Sequence, residues 1–458
     1  MYKSFPVFFL LIFSFSFGQN QQEKHLIKNL DQLISDKYKP ISPGCAVLVA
    51  KKGAIIYKKA YGSANLELNV PMKPDMIFRI GSITKQYTAI AILQLVEQGK
   101  ISLQDSLQKF IRNFGYKGSV ITIENLLTHT SGITDYEVIN VDIPTAIRVD
   151  FPPKQLIDSL AKFPLEFIPG SRFSYSNSNY YLLAYIIEQV SGKPYKEYLI
   201  ENLFKPAGLS HTYYDSPEEI ILNRVSGYSK YNSKYTNAGY ISMTQVFGAG
   251  ALVSNVEDLY KWHRALYEYK LVKKETLEKA FAPFKFTDGN LSEYGYGWFI
   301  KNRNETKSIE HSGGIDGFQS DEIYFPQQDI FIATLYNSLN EGGSDAGFMA
   351  LDNAIATLAI GKKLQEEIKV DTSVLKQYVG EYETDPTHHG IITLENGQLY
   401  LEAPEGGLPK SPLFAKTENI FFLKIIDAQI EFVKDKNNKV TELIVHFNGA
   451  DQSSKKIK

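Results

Sequence analysis

Residues 78–85 read Phe78-Arg79-Ile80-Gly81-Ser82-Ile83-Thr84-Lys85, and a long apolar segment follows them as far as Gly99. The apolar pattern predicts a largely buried helix over 83–98, with Gly99 as its C-terminal stop. At helical spacing Ser82 and Lys85 share one face, about one turn apart. A serine hydroxyl is a weak nucleophile until a neighbouring group takes its proton. A lysine amine can take that proton only when burial or nearby positive charge lowers its pKa from about 10.4. The stretch therefore indicates a nucleophile paired with a base.

The Ser-x-x-Lys spacing is not specific by itself. Four other serines also precede a lysine by three positions: Ser106, Ser159, Ser373 and Ser453. Only Ser82 follows a glycine and opens a long apolar helix, which would bury its lysine. The other four lie in polar surroundings or near linkers, where a solvated lysine is the simpler interpretation. The context therefore favours Ser82.

A second pattern of chemical interest is Tyr175-Ser176-Asn177, at a predicted loop-to-helix junction. Its phenol can carry a proton, and its amide can hold a peptide-like carbonyl. The same Tyr-x-Asn pattern recurs at 235–237, in a loop rich in Lys, Asn and Tyr, where we expect solvent exposure. The position of the first copy favours Tyr175 and Asn177.

A third pattern is His311-Ser312-Gly313-Gly314, in which the glycines would allow a strand to approach a ligand closely. The segment His388-His389-Gly390 also fits His-x-Gly. It lies in the C-terminal part of the chain, away from the other patterns, and we expect it to be an exposed loop. We therefore place the third element at 311–314.

Taken in order, these three patterns resemble the signatures of the serine β-lactamase and penicillin-binding-protein superfamily. The chain is most similar to the class C-like branch, which includes D-alanyl-D-alanine carboxypeptidases, D-aminopeptidases and esterases. The resemblance covers roughly residues 27–360 and extends to further segments, which are 126–132 (Leu-Leu-Thr-His-Thr-Ser-Gly), 169–170 (Pro-Gly), 248–254 and 296–298. The tail from Tyr378 resembles the lipocalin-like β domain appended to many such enzymes. The resemblance implies an α+β chain: a β-lactamase/DD-peptidase fold, with an antiparallel sheet flanked by helices and a helical subdomain, followed by a small all-β barrel-like domain.

The resemblance also implies roles for individual residues. Ser82 would be the acylated nucleophile, with Lys85 and Tyr175 sharing the proton transfers. Asn177 would orient the substrate amide, and His311 would line the opposite strand edge next to Gly313. The backbone N–H groups of Ser82 and Gly314 would form the oxyanion hole. No metal or cofactor is implied.

One departure from the family pattern concerns specificity. Class C β-lactamases carry Lys-Thr-Gly at the third element, whereas this chain has His311-Ser312-Gly313. A histidine at this point resembles the peptidase and D-aminopeptidase members. Histidine is mostly uncharged at neutral pH and would hold a substrate carboxylate less strongly than lysine. The departure argues against antibiotic hydrolysis as the main activity.

Composition excludes several other classes of protein. The chain has 458 residues, 43% hydrophobic and 22% charged, with a net charge of −2. This balance provides no broad basic surface, so nucleic acid is not an expected partner. The single cysteine, Cys45, excludes an internal disulfide and a multi-cysteine metal site. The sequence has no Gly-x-Ser-x-Gly elbow, no His-Glu-x-x-His motif and no Walker-type glycine loop.

The chain begins with a predicted secretory signal peptide over residues 1–18. Lys3 precedes the apolar run 5–17, which is too short to span a bilayer comfortably, and cleavage is predicted after Gly18. No later stretch is apolar enough to span a membrane. We therefore expect an exported protein, periplasmic or extracellular, with a hydrolase domain over 27–360, a linker over 361–371 and an all-β domain over 372–458.

The predicted function is that of an exported serine hydrolase that forms an acyl-enzyme on Ser82 and hydrolyses an amide or peptide bond. The substrate would be a small peptide, amide or ester. Two alternatives stay open, which are an esterase or β-lactamase with the same site, and a non-hydrolysing penicillin-binding or sensor protein. A homo-oligomer formed through the C-terminal domain also stays open.

Overall fold

The computed structural model describes residues 7–114, 118–140, 148–231, 234–340, 346–405, 408–447 and 450–458. Its contacts divide the chain into two compact units. The larger consists of the described parts of 35–301 and 307–343, and the smaller of the described parts of 1–34, 302–306 and 344–458.

A six-stranded sheet forms the centre of the larger unit. We number its strands in chain order: β1 Cys45–Lys51, β2 Ala54–Tyr61, β3 Phe299–Arg303, β4 Thr306–Ile315, β5 Phe318–Phe325 and β6 Ile330–Tyr336. Their order across the sheet is β3-β4-β5-β6-β1-β2. Strands β1 and β2 form a hairpin, and its turn at Lys52-Gly53 takes positive φ at both residues. Strand β1 pairs with β6 along its whole length, so the two ends of the unit meet in one sheet.

Helices and short strands make up the rest of the larger unit. The short strands form one two-stranded and two three-stranded sheets. The two-stranded sheet pairs Ser63–Asn65 with Val70–Pro71. One three-stranded sheet consists of Phe78–Arg79, Leu252–Ser254 and Tyr213–Tyr214, and the other consists of Ser338–Asn340, Tyr228–Tyr231 and Lys234–Asn237. The α-helices among its described residues are Thr84–Glu97, Leu107–Phe110, Ile123–Leu127, Tyr136–Asn140, Pro153–Leu160, Asn177–Ser191, Tyr195–Leu199, Lys205–Ala207, Met243–Gly250, Val256–Tyr267 and Lys274–Ala280.

The helix predicted over 83–98 is confirmed as Thr84–Glu97, preceded by a 3₁₀ turn over Gly81–Ile83. It is apolar on most of its surface and is buried from Thr84 to Leu93, because neighbouring helices surround it. The chain leaves it at Gly99, where φ is +69°.

A closed barrel of eight strands forms most of the smaller unit. Its strands are β7 Gly380–Asp385, β8 His388–Glu395, β9 Gln398–Ala403, β10 Leu408–Ala415, β11 Ile420–Leu423, β12 Ala428–Lys434, β13 Val440–Phe447 and β14 Ala450–Lys456. An Asn396-Gly397 turn joins β8 to β9 in a hairpin, and both turn residues have positive φ. The predicted α+β class with a C-terminal barrel is therefore confirmed.

The helix Ala346–Ala359 belongs with the barrel in this structure, whereas the sequence had placed it at the end of the first domain. Asn353 donates from Nδ2 to the carbonyl of Lys424 at 3.0 Å, and Met349 packs against the barrel core. A second helix, Thr372–Tyr378, precedes the strands that the sequence read as all β. The domain boundaries at 360 and 372 stay a prediction.

At the start of the chain, residues 1–6 of the predicted signal peptide lie outside the described residues. The rest is the beginning of a helix, Val7–Lys37, which continues past the predicted cleavage point at Gly18. Within the described ranges, no helix is both long and apolar enough to cross a membrane.

Candidate active site

Ser82 lies in the 3₁₀ turn that leads into the Thr84–Glu97 helix, and it is half-buried. Gly81 before it has φ +48°, a conformation that most side chains disfavour. Two hydrogen bonds with the backbone of Leu252 hold the turn in place. The Ile80 N–H donates to the Leu252 carbonyl at 3.0 Å, and the Leu252 N–H donates to Thr84 Oγ1 at 3.1 Å. The positive φ of Gly81 and the hydrogen bonds with Leu252 thus fix the position of the serine at the start of a buried helix.

The amine of Lys85 has three oxygen neighbours. Nζ lies 3.0 Å from Ser82 Oγ, 2.8 Å from Asn177 Oδ1 and 2.8 Å from the carbonyl oxygen of Ala249. The residue is fully buried. Because carbonyl oxygens can only accept, both must receive N–H groups from the amine, which directs its remaining tetrahedral position to Ser82.

Burial lowers the pKa of Lys85 to about 7, although the carboxylates of Asp135 and Glu137 act in the opposite direction. Near neutral pH a substantial fraction of this amine is therefore uncharged. An uncharged amine has two N–H groups and one lone pair. With Asn177 and Ala249 taking the N–H groups, the lone pair is available to accept the proton of Ser82.

The carbonyl of Ala249 reaches Lys85 because the backbone breaks inside the Met243–Gly250 helix. Phe247 there has φ +38° and ψ −124°, an uncommon conformation for a residue with a side chain. The next residue must be glycine, since a Cβ on Gly248 would lie 2.4 Å from the Cβ of Ala184. Strain and close packing thus turn two carbonyls towards the Thr84–Glu97 helix, where Thr88 Oγ1 also donates to Gly248 O at 2.7 Å.

Tyr175 completes a group of proton-carrying side chains around Ser82. Its hydroxyl is within hydrogen-bonding reach of Ser82, and Lys85 Nζ lies 4.9 Å from its ring centroid. Burial raises the pKa of Tyr175 above its ordinary value. The phenol is therefore protonated near neutral pH and can donate a hydrogen bond.

Asn177 begins the Asn177–Ser191 helix and is more fully bonded than the sequence suggested. Its Oδ1 accepts from Lys85, while its Nδ2 donates to Glu137 Oε1 at 2.9 Å and to Asp135 Oδ2 at 3.3 Å. Asp135 Oδ2 also accepts the Asn177 backbone N–H at 2.7 Å. Burial raises the pKa of both carboxyl groups. Sequence reasoning missed Asp135 and Glu137, and their place just after the Thr-Ser-Gly of 130–132 is the one signal that could have indicated them.

The glycines of the third element allow strand β4 to touch the turn before Ser82. A Cβ on Gly313 would lie 2.1 Å from Ile80 O and 2.5 Å from Ser320 Oγ. A Cβ on Gly81 would lie 3.0 Å from Gly314 N. The backbone of β4 and that of the Ser82 turn are thus in direct contact, with Gly314 N beside Gly81.

His311 differs from the expectation that it would face a substrate. It is only 2% exposed, and both ring nitrogens have partners within the protein. Nδ1 lies 2.6 Å from Ser312 O, so it carries the proton, and Nε2 lies 3.0 Å from Tyr294 Oη, from which it accepts. Burial lowers the pKa of His311 to about 3, so the ring is uncharged. The His311 ring therefore packs inside the protein beneath β4, and neither of its nitrogens is free to bind a substrate.

The alternative copies of the three patterns have different surroundings. Ser453 is exposed, Ser159 is half-buried in the Pro153–Leu160 helix, and Ser106 and Ser373 precede or begin short helices. Residues Tyr235 and Asn237 lie on an exposed strand, where the sequence predicted a loop. His388 is on barrel strand β8, also predicted as a loop, with Asp385 Oδ2 at 2.9 Å. Across the described ranges, no group of three or more His, Cys, Asp or Glu side chains is arranged to hold a metal ion.

A serine on a helix-initiating turn, a buried lysine one turn later and a tyrosine from a distant loop define a class of protein, the penicillin-recognising serine proteins. Residues 30–354 match the family described as Beta-lactamase, and residues 364–456 match one described as Domain of unknown function (DUF3471). The chain belongs to the beta-lactamase family, within the superfamily of serine β-lactamases and penicillin-binding proteins.

Three similar proteins illustrate this membership. Penicillin-binding protein 4* of Bacillus subtilis (strain 168) is 28% identical over 438 residues, which cover 90% of this chain and 94% of the relative. The structure of the octameric penicillin-binding protein homologue from Pyrococcus abyssi has a TM-score of 0.67 at 27% identity, covering 94% and 99% of the two chains. D-amino acid amidase from Ochrobactrum anthropi SV3 has a TM-score of 0.65 at 21% identity, covering 74% of this chain and 98% of that one, and this likeness concerns the fold alone.

Proposed function

We propose that this protein is an exported serine hydrolase that forms an acyl-enzyme on Ser82 and hydrolyses the amide or peptide bond of a small substrate of the D-amino-acid type. The observation that carries the proposal is the environment of Lys85. Two carbonyl oxygens, each at 2.8 Å, occupy its N–H groups, and the remaining neighbour is Ser82 Oγ at 3.0 Å. This is the arrangement that a general base for Ser82 requires.

In the acylation step, Ser82 Oγ transfers its proton to Lys85 Nζ and forms a bond to the carbonyl carbon of the substrate. The negative charge on the carbonyl oxygen is stabilised by the backbone N–H groups of Ser82 and Gly314. The C–N bond then breaks, and the leaving amine takes a proton from the Tyr175 hydroxyl, which Lys85 replaces. The products are an ester on Ser82 and a free amine.

In the deacylation step, a water molecule gives up a proton to the same relay and attacks the ester carbon. The bond to Ser82 Oγ breaks, and the serine recovers its proton. One water is consumed overall, and an acid and an amine are formed. No step requires a metal ion or an oxidant.

The proposed substrate is an amide that carries no carboxylate close to the scissile bond, and the charges around the site support this part of the proposal. His311 is uncharged, and the carboxyl groups of Asp135 and Glu137 lie next to Asn177. Neither feature favours the carboxylate of a β-lactam. An esterase with the same site is the second candidate function, since the same acylation chemistry applies to esters.

A fluorophosphonate probe, followed by a turnover assay, tests the proposal. The assay uses D-amino-acid amides, short peptides, p-nitrophenyl esters and a chromogenic cephalosporin. Labelling together with amide turnover supports the proposal, and turnover of esters alone supports the second candidate. Labelling without turnover would favour a sensor, and absence of both would refute the enzyme assignment.

Export and assembly are separate parts of the proposal. The residues 1–18 support export, and the N-terminal sequence of the protein recovered from its producing cells should begin at Gln19. The octameric homologue from Pyrococcus abyssi supports a homo-oligomer, which light scattering after gel filtration would measure. A mature protein that starts at Met1, or one that is monomeric at all concentrations, would contradict the respective part.

A further inference from the structure

His129 is a buried residue that the proposed mechanism does not use. It follows the Ile123–Leu127 helix, has φ +55° and is fully buried, as are Thr128 and Thr130 on either side. Thr128 Oγ1 and Thr130 Oγ1 are 2.9 Å apart, and Thr130 N–H donates to Asn125 O at 2.9 Å. The turn is therefore bonded on both sides of the histidine, which gives its side chain a fixed point of attachment.

The histidine contacts Tyr175 and the residue on each side of it. The Ser174 N–H donates to the His129 carbonyl at 2.9 Å, and the Ser176 N–H donates to His129 Nδ1 at 3.1 Å. The two ring centroids are 4.3 Å apart, with an angle of 31° between the ring planes. One residue thus binds the backbone on both sides of Tyr175 and packs against its ring.

These contacts have consequences because 173–176 form neither helix nor strand. No regular hydrogen-bonding pattern sets the direction of the tyrosine there. The next helix begins only at Asn177. The position of the Tyr175 hydroxyl relative to Ser82 must therefore come from tertiary contacts of the kind that His129 provides.

The hydrogen bonds also establish the tautomer of His129. Asn179 Oδ1 accepts from Ser131 Oγ at 2.6 Å, so its Nδ2 is the atom that faces His129 Nδ1 at 3.2 Å. Nδ1 thus accepts, and the proton is on Nε2, which has no hydrogen-bond partner among the described residues. A buried N–H without an acceptor costs free energy. This tautomer leaves the Nε2–H group without an acceptor, but it makes Nδ1 an acceptor for the backbone N–H of Ser176, next to Tyr175. Burial and the charge of Lys85 also hold the pKa of His129 well below its ordinary value, so the acceptor is retained.

We propose that His129 is a positioning residue that holds Tyr175 in place to protonate the leaving group, an inference that rests on the proposed hydrolase function. The acceptor at Nδ1 is the decisive feature. A leaving amine must receive a proton, whereas p-nitrophenolate leaves without one. Displacement of the Tyr175 hydroxyl should therefore slow acylation by an amide far more than acylation by the matching p-nitrophenyl ester.

Two variants separate the acceptor from the ring. His129→Phe retains a buried ring and removes the acceptor. His129→Asn removes the ring but retains an oxygen acceptor, and asparagine tolerates positive φ. The matched control is His263→Phe, because His263 is also a buried, uncharged histidine among aromatic rings, but it packs against Tyr267 and Tyr324.

The experiment measures single-turnover acylation rates with an amide and a p-nitrophenyl ester of the same acyl group, so that both form one acyl-enzyme. For His129→Phe we expect the amide rate to fall about 10- to 100-fold and the ester rate by less than about threefold. His129→Asn should recover most of the amide rate, and His263→Phe should leave the amide-to-ester ratio unchanged. In a Tyr175→Phe background, His129→Phe should cause little further loss.

An unchanged amide-to-ester ratio in a folded His129→Phe enzyme would overturn the inference, as would equal losses in both His129 variants. If His129→Phe has no native circular-dichroism spectrum, His129→Leu takes its place with the same expectation, since it lacks the acceptor and is smaller. Wild-type protein that acylates with neither substrate would instead refute the hydrolase function itself. The two failures are thus distinguishable.

Discussion

The pH dependence of catalysis is the most direct test of the role assigned to Lys85. If the amine must be uncharged to accept the Ser82 proton, kcat/KM follows its unprotonated fraction. With a pKa of about 7, roughly one-tenth of the amine is uncharged at pH 6 and roughly nine-tenths at pH 8. The value of kcat/KM should therefore rise about tenfold between these pH values and level off above pH 8. A lysine with the ordinary pKa of about 10.4 would instead give a tenfold rise per pH unit up to about pH 10.

The substitution Asp135→Asn changes this profile in a predictable direction. The carboxylate of Asp135 raises the pKa of Lys85, so its removal should lower that pKa and move the rise in kcat/KM to lower pH. Asparagine retains an oxygen that can accept the Asn177 N–H, so the local hydrogen bond can persist. The matched control is Asp288→Asn on an exposed loop, which should leave the profile where it is.

The assay is kcat/KM for an uncharged substrate between pH 5 and pH 10, with circular dichroism to verify folding at each end. A profile that keeps rising to pH 10 would refute an uncharged Lys85 near neutrality. A flat profile between pH 6 and pH 8 would refute the role of Lys85 as the base. A shift to higher pH in Asp135→Asn would contradict the electrostatic argument.

Three further predictions concern Ser82, Tyr175 and Gly313. Ser82→Ala should abolish labelling by a fluorophosphonate, while Ser106→Ala should label normally, and persistent labelling of the first variant would refute the nucleophile. Tyr175→Phe should reduce amide turnover by roughly 10²–10⁴-fold without loss of fold, while Tyr235→Phe should have little effect, and near-normal turnover would show that the phenol is dispensable. Gly313→Ala should disrupt the contact between β4 and Ile80, because its Cβ would lie 2.1 Å from that carbonyl oxygen, and an enzyme with normal melting temperature and turnover would contradict the packing argument.

Much of the fold was predictable because its signals are local. The helix after Ser82, the Thr122 capping box before Ile123–Leu127 and the Asn396-Gly397 hairpin are all encoded within a few neighbouring residues. The place of the helix Ala346–Ala359 with the barrel was not predicted, because the predicted hydrolase domain extended to residue 360. That place depends on contacts such as the one between Asn353 and Lys424, which are 71 residues apart. The periodicity of apolar residues in the sequence predicts a helix, but it does not predict which surface the helix packs against.

The candidate site shows the same division. The three patterns named Ser82, Lys85, Tyr175 and Asn177, and the structure brings these side chains together. It also shows that Asn177 Oδ1 accepts a hydrogen bond from Lys85 and that both ring nitrogens of His311 bond to groups within the protein. The spacing of residues in the sequence could not indicate either bond. The bonding state of a side chain depends on every neighbour within about 3 Å, and those neighbours come from distant parts of the chain.

The sequence by itself determined that Ser82 and Lys85 lie side by side, because they are three residues apart and helical geometry places them on one face. Tertiary structure alone decided the surroundings of that pair. Ala249, 164 residues after Lys85, supplies one acceptor, and Asn177, 92 residues after it, supplies the other. Burial lowers the pKa of the amine, and the amount of burial is a property of the packed core and not of any local segment.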